Sequence, residues 1–303
     1  MICVFNPEHD LCLANGSPHY MPPASALLFA RRGAALMRVL YPDAEAAVPA
    51  AAFSQGGPCC RSAGMQIVPW GWNRVLREQL LSHGVPEADL PPVSVLERWR
   101  SLQHRSTYLA LQPDSRAVTT VCEVEGLLSR HRHLVLKAPW SGSGRGIRWV
   151  SERMVGHDAG WLEKVVRTQQ CAIAEPRRQV SEEFAVEYWV GRDGVRLCGF
   201  SLFVAANGVY RSNLLLCDDE IRQRVRYADD DRAELEGWLR ANVVGRYEGP
   251  LGVDYIRTID GVNYLSEINF RHTMGMVAHQ FLLQNPSWQG KVWTPGSAIP
   301  KIV

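Results

Sequence analysis

Residues 252–269, which decide the fold, read GVDYIRTIDGVNYLSEIN. An Asp-Gly pair between two runs of alternating apolar residues predicts a β-hairpin with a two-residue turn. With Asp260 and Gly261 at that turn, Asp254 lies directly opposite Glu267. Asn269 follows two residues later on the same face, because side chains alternate between the two faces of a strand. The sequence therefore predicts three oxygen-bearing side chains close together on one side of a hairpin.

Two carboxylates at directly opposed positions destabilise an ordinary sheet, so the pair predicts a ligand between them. A hard divalent cation fits, since Mg²⁺ is held by carboxylates and substrate phosphates, and an asparagine carbonyl adds a further oxygen. Two alternatives remain open, namely solvated edge residues or a hairpin register shifted by one residue. The opposite face of the hairpin is predicted to pack against the core through Val253, Tyr255, Tyr264 and Ile268.

A glycine-rich loop follows a strand-like run in residues 134–147, which read LVLKAPWSGSGRGI. Glycine lets backbone N–H groups approach an anion closely, so the loop suits phosphate binding. A dinucleotide fingerprint needs glycine in place of Ile147, and a Walker A loop needs Gly-Lys-Ser/Thr at its end, so both are excluded. Protein kinases place their lysine after such a loop, whereas Lys137 precedes it. A flexible surface hairpin with a solvated lysine remains the alternative.

Acidic residues mark the chain between these two motifs. An apolar run ends at Glu175 and Pro176, and Glu183 opens the next run. Exposed backbone before a proline suits the edge of an adenine, and a carboxylate accepts hydrogen bonds from ribose hydroxyls. Acidic residues at strand ends are more often simply solvated, so this signal is weak on its own.

The composition indicates a globular chain without a polyanionic partner. Its 303 residues are 46% hydrophobic and 21% charged with a net charge of +2, which suits roughly two domains and argues against nucleic-acid binding. No apolar stretch reaches the length of a membrane span and the first residues do not resemble a signal peptide, so we expect a cytoplasmic protein. The eight cysteines form no CxxC motif and are expected to be reduced thiols.

The sequence pattern changes near residue 95, which divides the chain into two predicted domains. Residues 1–95 indicate a small α/β domain, with a strand over 2–5 and helices near 25–30 and 72–81. From residue 96 onward, a helix over 95–111 leads into hairpin-rich strands with few helices, which predicts an α+β domain over 96–303. The predicted strands there lie near 133–138, 147–150, 171–175, 184–190, 195–204, 252–257 and 262–268.

Taken in chain order, the strand lysine with its glycine-rich loop, the acidic strand end, and the paired carboxylates with Asn269 and Arg271 resemble the ATP-grasp superfamily over roughly 96–278. The resemblance implies an α+β ATP-grasp fold, in which two α+β subdomains sandwich ATP, preceded by the small α/β domain. It also implies that Asp254, Glu267 and Asn269 hold Mg²⁺, with Mn²⁺ as a substitute. Lys137 would contact the ATP phosphates, and Arg271 would neutralise phosphate or an acyl phosphate.

The nucleotide-binding residues that the resemblance implies are Arg105, Lys137, Ser141, Gly142, Ser143, Gly144, Gly146, Glu175, Pro176 and Glu183. One of them departs from the family. Arg105 stands where a second lysine is often found, and its planar guanidinium suits bidentate phosphate binding.

Further substrate candidates lie just past the first strand, where α/β sheets present ligands. These are Glu8, His9 and Asp10, for which local turn capping is the competing interpretation. His272 follows Arg271 and is predicted either to touch substrate or to support the hairpin.

The resemblance implies an ATP- and Mg²⁺-dependent ligase that activates a carboxylate as an acyl phosphate for attack by an amine. An ATP-dependent phosphotransferase and a non-catalytic ATP-binding protein are the alternatives. The expected partners are small-molecule or peptide carboxylates and amines, without nucleic acid or membrane, and a homodimer is left open. The sequence identifies neither the acid nor the amine.

Overall fold

A computed structural model describes residues 1–54, 64–142, 146–206 and 208–295. The strands in these ranges form three sheets. The first is parallel in the order β2-β1-β3, and β1 is buried along its whole length, as is typical of parallel strands covered on both faces. Its strands are β1 (Ile2–Phe5), β2 (Ala46–Pro49) and β3 (Ile67–Pro69). The helices around it are α1 (His9–Asn15), α2 (Ala24–Gly33), α3 (Met37–Leu40) and α4 (Arg74–Ser82).

The second sheet is antiparallel with four strands in the order β4-β7-β5-β6. Its strands are β4 (Arg116–Val118), β5 (His133–Lys137), β6 (Ile147–Ser151) and β7 (Ala172–Pro176). Its apolar face packs against two amphipathic helices through residues such as Leu128, Leu136 and Leu162. The helices of this part are α5 (Val93–Leu102), α6 (Val121–His131) and α7 (Gly156–Gln169).

The third sheet is antiparallel with the order β12-β11-β8-β9-β10-β13. Its strands are β8 (Val180–Val190), β9 (Val195–Ala206), β10 (Val209–Leu214), β11 (Gly249–Thr258), β12 (Asn263–Asn269) and β13 (Val292–Trp293). The remaining helices are α8 (Asp218–Val225), α9 (Asp229–Asn242) and α10 (Met274–Gln284). Short 3₁₀ segments lie at Ala34–Leu36, Ala50–Ser54, Glu87–Asp89, Arg105–Leu111 and Pro286–Trp288.

The largest core cluster lies on one face of the six-stranded sheet. There Phe184 and Tyr255 stack with ring centroids 5.1 Å apart, and Leu235 and Leu239 of α9 belong to the same cluster. A separate cluster joins Phe5 of the first sheet to Phe281 of α10. Apolar burial therefore brings the chain after β12 back against the N-terminal sheet.

The hairpin between β11 and β12 differs from its predicted form at the turn. Arg257 pairs with Asn263, and the Gly261 N–H donates to the Thr258 carbonyl at 2.9 Å, so the turn is longer than the two residues predicted. A β-bulge then restores the register, and Asp254 does pair with Glu267. The bulge corrects one face assignment: Leu265 lies opposite Tyr255 and is buried, whereas Tyr264, which was predicted on the core face, pairs with Ile256 and is only partly buried.

The single helix predicted over 95–111 is also wrong in part. The α-helix ends at Leu102, and a 3₁₀ segment begins at Arg105 after an extended His104. The Thr107 hydroxyl lies 2.9 Å from the Leu102 carbonyl and 2.8 Å from the His104 carbonyl. A side chain that binds the last carbonyls in this way competes with continuation of the helix.

The remaining helix and strand predictions agree with the structure to within a few residues at their ends. No helix among the described residues has the length and apolar character required to cross a lipid bilayer.

Candidate active site

Two adjoining cavities lie between the four-stranded and the six-stranded sheets. We call them the Glu175 cavity, of about 310 Å³, and the Asp254 cavity, of about 340 Å³, each after an acidic residue that lines it. Both are lined by Lys137 and Glu183, which places them side by side. Residues of the two sheets therefore line one continuous groove.

The predicted metal residues lie together on the hairpin that lines the Asp254 cavity. Asp254 faces Glu267 across the strand pair, and the Asn269 amide donates to Asp254 Oδ2 at 3.0 Å. Burial, followed by the negative charge of Glu267, raises the pKa of Asp254 to about 7. A cation placed between these carboxylates relieves both causes.

The described residues contain no group of three or more His, Cys, Asp or Glu arranged to hold a metal. The hairpin set has two carboxylates and an amide. This donor set suits Mg²⁺, which takes one or two carboxylates and completes its shell with water and phosphate oxygens.

Arg105 connects the metal hairpin to the start of the glycine-rich loop. Its Nη2 lies 2.5 Å from Glu267 Oε1, and its Nη1 donates to the Ala138 carbonyl at 2.5 Å and to Ser141 Oγ at 2.8 Å. The residue is 5% exposed and lines the Asp254 cavity. One guanidinium thus fixes two of the predicted elements relative to each other.

Lys137 lies at the end of β5 with its ammonium group between two partners. It forms an ion pair with Glu175 on the neighbouring strand β7 and donates to Ser266 Oγ at 3.1 Å. Ser266 is the extra residue of the hairpin bulge. Glu175 and Pro176 line the Glu175 cavity, and Glu183 Oε2 accepts from the Ala205 N–H at 2.8 Å. Burial raises the pKa of Glu183.

The described part of the glycine-rich loop packs too closely for side chains. A Cβ on Gly142 would lie 2.5 Å from Asp10 Oδ2, and one on Gly146 would lie 2.2 Å from the Ser141 Cβ. Neither distance occurs between real atoms of this kind. The predicted Ser143 and Gly144 lie outside the described residues.

Arg271 and Asp10 form a two-point ion pair across the Asp254 cavity. Arg271 Nε donates to Oδ1 at 3.0 Å and Nη2 donates to Oδ2 at 2.9 Å. Burial opposes ionisation of the carboxyl group, but Arg271, together with the charges of His9 and Arg105, outweighs burial and lowers the pKa of Asp10. Both side chains line the cavity, so a residue of α1 and a residue just after β12 act on the same space.

The other substrate candidates are packed into the N-terminal region. The described residues that line the two cavities include Asp10 but not Glu8, His9 or His272. His9 lies between Asn73 and Gln103, and burial lowers its pKa. Glu8 is 5% exposed, and burial raises its pKa to about 7.

His272 accepts from the Tyr41 hydroxyl at 2.8 Å and donates from Nδ1 toward the Pro69 and Trp70 carbonyls. Burial lowers its pKa to about 4, so the ring is neutral near pH 7. These contacts join the segment that carries Arg271 to Tyr41 and to the end of β3.

Sequence reasoning missed Glu187, which lines the Asp254 cavity and is 1% exposed. Its Oε1 accepts from Thr273 Oγ1 at 2.9 Å and from Ser201 Oγ at 3.3 Å, whereas its buried Oε2 has no hydrogen-bond partner among the described residues. Burial, followed by the charge of Asp254, raises the pKa of Glu187 to about 8. The available signal was strand periodicity, which places it on the same face as Glu183.

Comparison with known proteins gives a match through structure but not through sequence. The sequence matches no protein-family model and no curated protein significantly. A biotin carboxylase from Campylobacter jejuni in a β,γ-ATP complex superposes with a TM-score of 0.53 at 16% identity, over 91% of this chain and 67% of that one. N5-carboxyaminoimidazole ribonucleotide synthetase from Thermus thermophilus gives 0.51 at 19% identity, over 94% and 74%. Both proteins are ATP-grasp enzymes. The chain has the ATP-grasp fold.

The corresponding synthase from Aspergillus clavatus, complexed with ATP, agrees with a TM-score of 0.51 at 14% identity, over 90% of this chain and 70% of that one. The predictions of an α+β ATP-grasp fold and of an α/β part preceding it are therefore confirmed. In this fold the two antiparallel sheets of the chain are the two layers that enclose the groove.

Proposed function

We propose that this protein is an ATP- and Mg²⁺-dependent ligase, which activates a carboxylate as an acyl phosphate and transfers the acyl group to an amine. The observation that carries the proposal is the Asp254 cavity, which is lined at once by Lys137, the opposed carboxylates of the hairpin, and Arg271. A strand lysine, an oxygen-rich metal position and a guanidinium are the groups that phosphoryl transfer requires. The structural neighbours, which include ADP and ATP complexes, agree with nucleotide binding.

The metal would be held by Asp254, Glu267 and the Asn269 carbonyl. These residues fit Mg²⁺, with Mn²⁺ as a substitute, because two like-charged carboxylates face each other directly across the strand pair. When bound, the metal supplies positive charge at the phosphate oxygens. The nucleotide would extend from there into the Glu175 cavity. The residues proposed to hold it are Arg105, Lys137, Ser141, Gly142, Gly146, Glu175, Pro176 and Glu183.

In the first step, a carboxylate oxygen of the substrate attacks the γ-phosphorus of ATP and ADP leaves. Lys137 Nζ neutralises the phosphoryl oxygens, which requires it to share or leave its contact with Glu175. Arg271 is oriented by Asp10 and supplies a fixed positive charge at the same cavity. In the second step, the amine first loses its ammonium proton to solvent, and its nitrogen then attacks the acyl carbon. Phosphate leaves and takes up the proton that the nitrogen loses as the amide forms. Because the side chains form no covalent bond in either step, their contribution is positioning and charge neutralisation.

We also propose that residues 1–95 and 96–303 are the two domains, and that the enzyme works in the cytoplasm, where MgATP is available. The N-terminal part would contribute to the acid or amine site through Asp10, which is its one predicted residue that lines the cavity among those described.

The test is ADP release from MgATP in the presence of a panel of amino acids, dipeptides and dicarboxylates, each with and without hydroxylamine. A ligase releases ADP only with its acid present and forms a hydroxamate when hydroxylamine is added. Glu267→Gln should remove most of this turnover, because a neutral amide replaces a charged metal ligand. Glu163→Gln, at an exposed position of α7, is the matched control.

Other outcomes point to the alternatives. A phosphorylated product that never reacts with an amine identifies a phosphotransferase. Nucleotide binding without ADP release for any acid in the panel identifies a non-catalytic binder and contradicts the proposal.

A further inference from the structure

Glu187 carries the one buried carboxylate oxygen of the Asp254 cavity that has no hydrogen-bond partner among the described residues. Each of the other acidic residues that line the cavity has a partner. Asp10 binds Arg271, Glu267 binds Arg105, and Glu183 accepts a backbone N–H. Asp254 accepts from Asn269 and faces the proposed metal position. Glu187 is therefore left over once the nucleotide and metal groups have been assigned.

The surroundings of Glu187 form a built site. Thr273 and Ser201 both donate to Oε1, which fixes the carboxylate plane. Two glycines make room for the group: a Cβ on Gly252 would lie 2.7 Å from Oε2, and one on Gly275 would lie 2.1 Å from Oε1. Donors and space are thus arranged so that Oε1 has two donors, whereas Oε2 has none among the described residues.

A purely structural role explains only half of this arrangement. Anchoring Thr273 at the start of α10 requires Oε1 alone, and a glutamine would accept the same hydrogen bonds. A glutamate adds a second buried oxygen that can carry charge, and burial of such an atom without a partner is costly. The cost is removed when a ligand donor binds at Oε2.

The hydrogen bonds at Glu187 also indicate which kind of ligand donor fits Oε2. A guanidinium binds a carboxylate through both oxygens at once. At Glu187 one oxygen is already occupied by two hydroxyl donors. A compact donor that uses a single oxygen fits better, and the ammonium group is such a donor.

We propose that Glu187 Oε2 binds the amino group of the acceptor substrate, which is a primary amine that enters in its ammonium form. This inference rests on the proposed ligase function and deepens it, since it assigns the amine side of the reaction to Glu187, with Ser201 and Thr273 as positioning residues. The chemical class it predicts is an amino acid, a peptide with a free amino terminus, or another primary amine.

The first experiment measures binding and needs no turnover. A panel of amino acid amides is compared with the same compounds N-acetylated, by thermal shift in the presence of Mg²⁺ and ADP. At least one free amine should stabilise the wild type and Glu163→Gln, whereas its acetylated form should not. Glu187→Gln should bind that amine about tenfold or more weakly, because a charged hydrogen bond is lost while Oε1 keeps its partners. Glu187→Asp, which keeps the charge, should bind it more tightly than Glu187→Gln.

Two results of this experiment would overturn the inference: no free amine stabilises the wild type, or Glu187→Gln binds the amine as well as the wild type does. These results are separate from failure of the proposed function, which shows as absence of carboxylate-dependent ADP release.

The second experiment uses turnover with the acid found above. Glu187→Gln should raise the KM of the amine about tenfold or more. Hydroxamate formation should change less than about twofold, because hydroxylamine is largely uncharged at neutral pH and needs no counter-charge. A parallel loss of hydroxamate and amide would show that Glu187 acts on the metal or on phosphoryl transfer, and the amine assignment would be wrong.

Discussion

The opposed carboxylates of the β11–β12 hairpin should make the metal-free protein less stable as the pH rises. Burial and the charge of Glu267 raise the pKa of Asp254 from 3.8 to about 7. We expect the substitution Asp254→Asn to remove this titration. The amide keeps an oxygen that accepts from Asn269, as Asp254 Oδ2 does at 3.0 Å, so the hairpin contact survives the change.

Stability falls with rising pH because the folded protein binds a proton on Asp254 more tightly than the unfolded chain does. Between pH 4 and pH 7 the folded protein holds a proton on Asp254 that the unfolded chain has lost, so the free energy of unfolding falls as the pH rises. The stabilising contribution of the Asp254 carboxyl group is fully present below its pKa in the unfolded chain, and it is lost once the pH rises above its pKa in the folded protein. A shift of about three pKa units corresponds to about 4 kcal/mol. For a chain of this length, 1 kcal/mol changes the Tm by about 2 °C. The Tm of Asp254→Asn minus that of the wild type should therefore increase by about 8 °C between pH 4 and pH 8.

The assay is thermal unfolding of both proteins in EDTA over this pH range, repeated with Mg²⁺ and ADP at pH 8. In EDTA the two Tm curves should diverge with rising pH. Mg²⁺ and ADP should then stabilise the wild type more than the variant, because the ionised carboxylate is the better metal ligand. Parallel curves from pH 4 to pH 8 would refute the reasoning, since Asp254 would then carry no raised pKa and the case for a cation between the carboxylates would be lost.

Three further outcomes are expected. Lys137→Ala should lower carboxylate-dependent ADP release by about 10²-fold at saturating ATP, as is typical when one positioned charge is removed from a transition state; wild-type turnover would exclude this lysine. Asp10→Asn should cost about 3 kcal/mol in denaturant unfolding, because it leaves a buried guanidinium without its charged partner; a loss below about 1 kcal/mol would contradict the buried pair. Gly275→Ala should destabilise the protein by about 1–3 kcal/mol, because the added Cβ would lie 2.1 Å from a carboxylate oxygen. The control Gly237→Ala in α9, where an added Cβ would have nothing within 4 Å, should stabilise the protein by up to about 1 kcal/mol. Equal shifts in Tm for the two variants would show that the Gly275 site is not tightly packed.

Local patterns in the sequence predicted the strands and the facing carboxylates. Asp254 and Glu267 could be paired from sequence because a hairpin relates residues that are close in the chain. That pairing was reached with an incorrect turn, since the longer connection and the bulge at Ser266 shift the register in opposite directions. Bulges have no sequence signature as strong as an Asp-Gly turn, so the error in the position of Tyr264 followed directly.

The ion pairs of the site could not be predicted in the same way. Arg271 and Asp10 are separated by 261 residues, and Arg105 reaches Glu267 from a 3₁₀ segment that the sequence pattern presented as helix. Periodicity reports which face of an element is buried, but not which other element meets it. Glu187 was missed for a related reason, because strand alternation gives its face and only the tertiary structure shows that its second oxygen has no partner among the described residues.

The balance of charges in the Asp254 cavity indicates whether the nucleotide binds with or without a metal ion. The described residues that line it include five carboxylates against three cationic side chains, and the cations already have carboxylate partners at Glu175, Asp10 and Glu267. The two carboxyl groups in the cavity with the largest upward pKa shifts, Asp254 and Glu187, lack such a cation among the described residues. ATP without a metal would add further negative charge to this acidic space, whereas Mg²⁺ at Asp254 and an ammonium at Glu187 would each supply a missing cation. We therefore expect the nucleotide to bind as its magnesium complex, and the amine to be held by Glu187 before it meets the acyl phosphate.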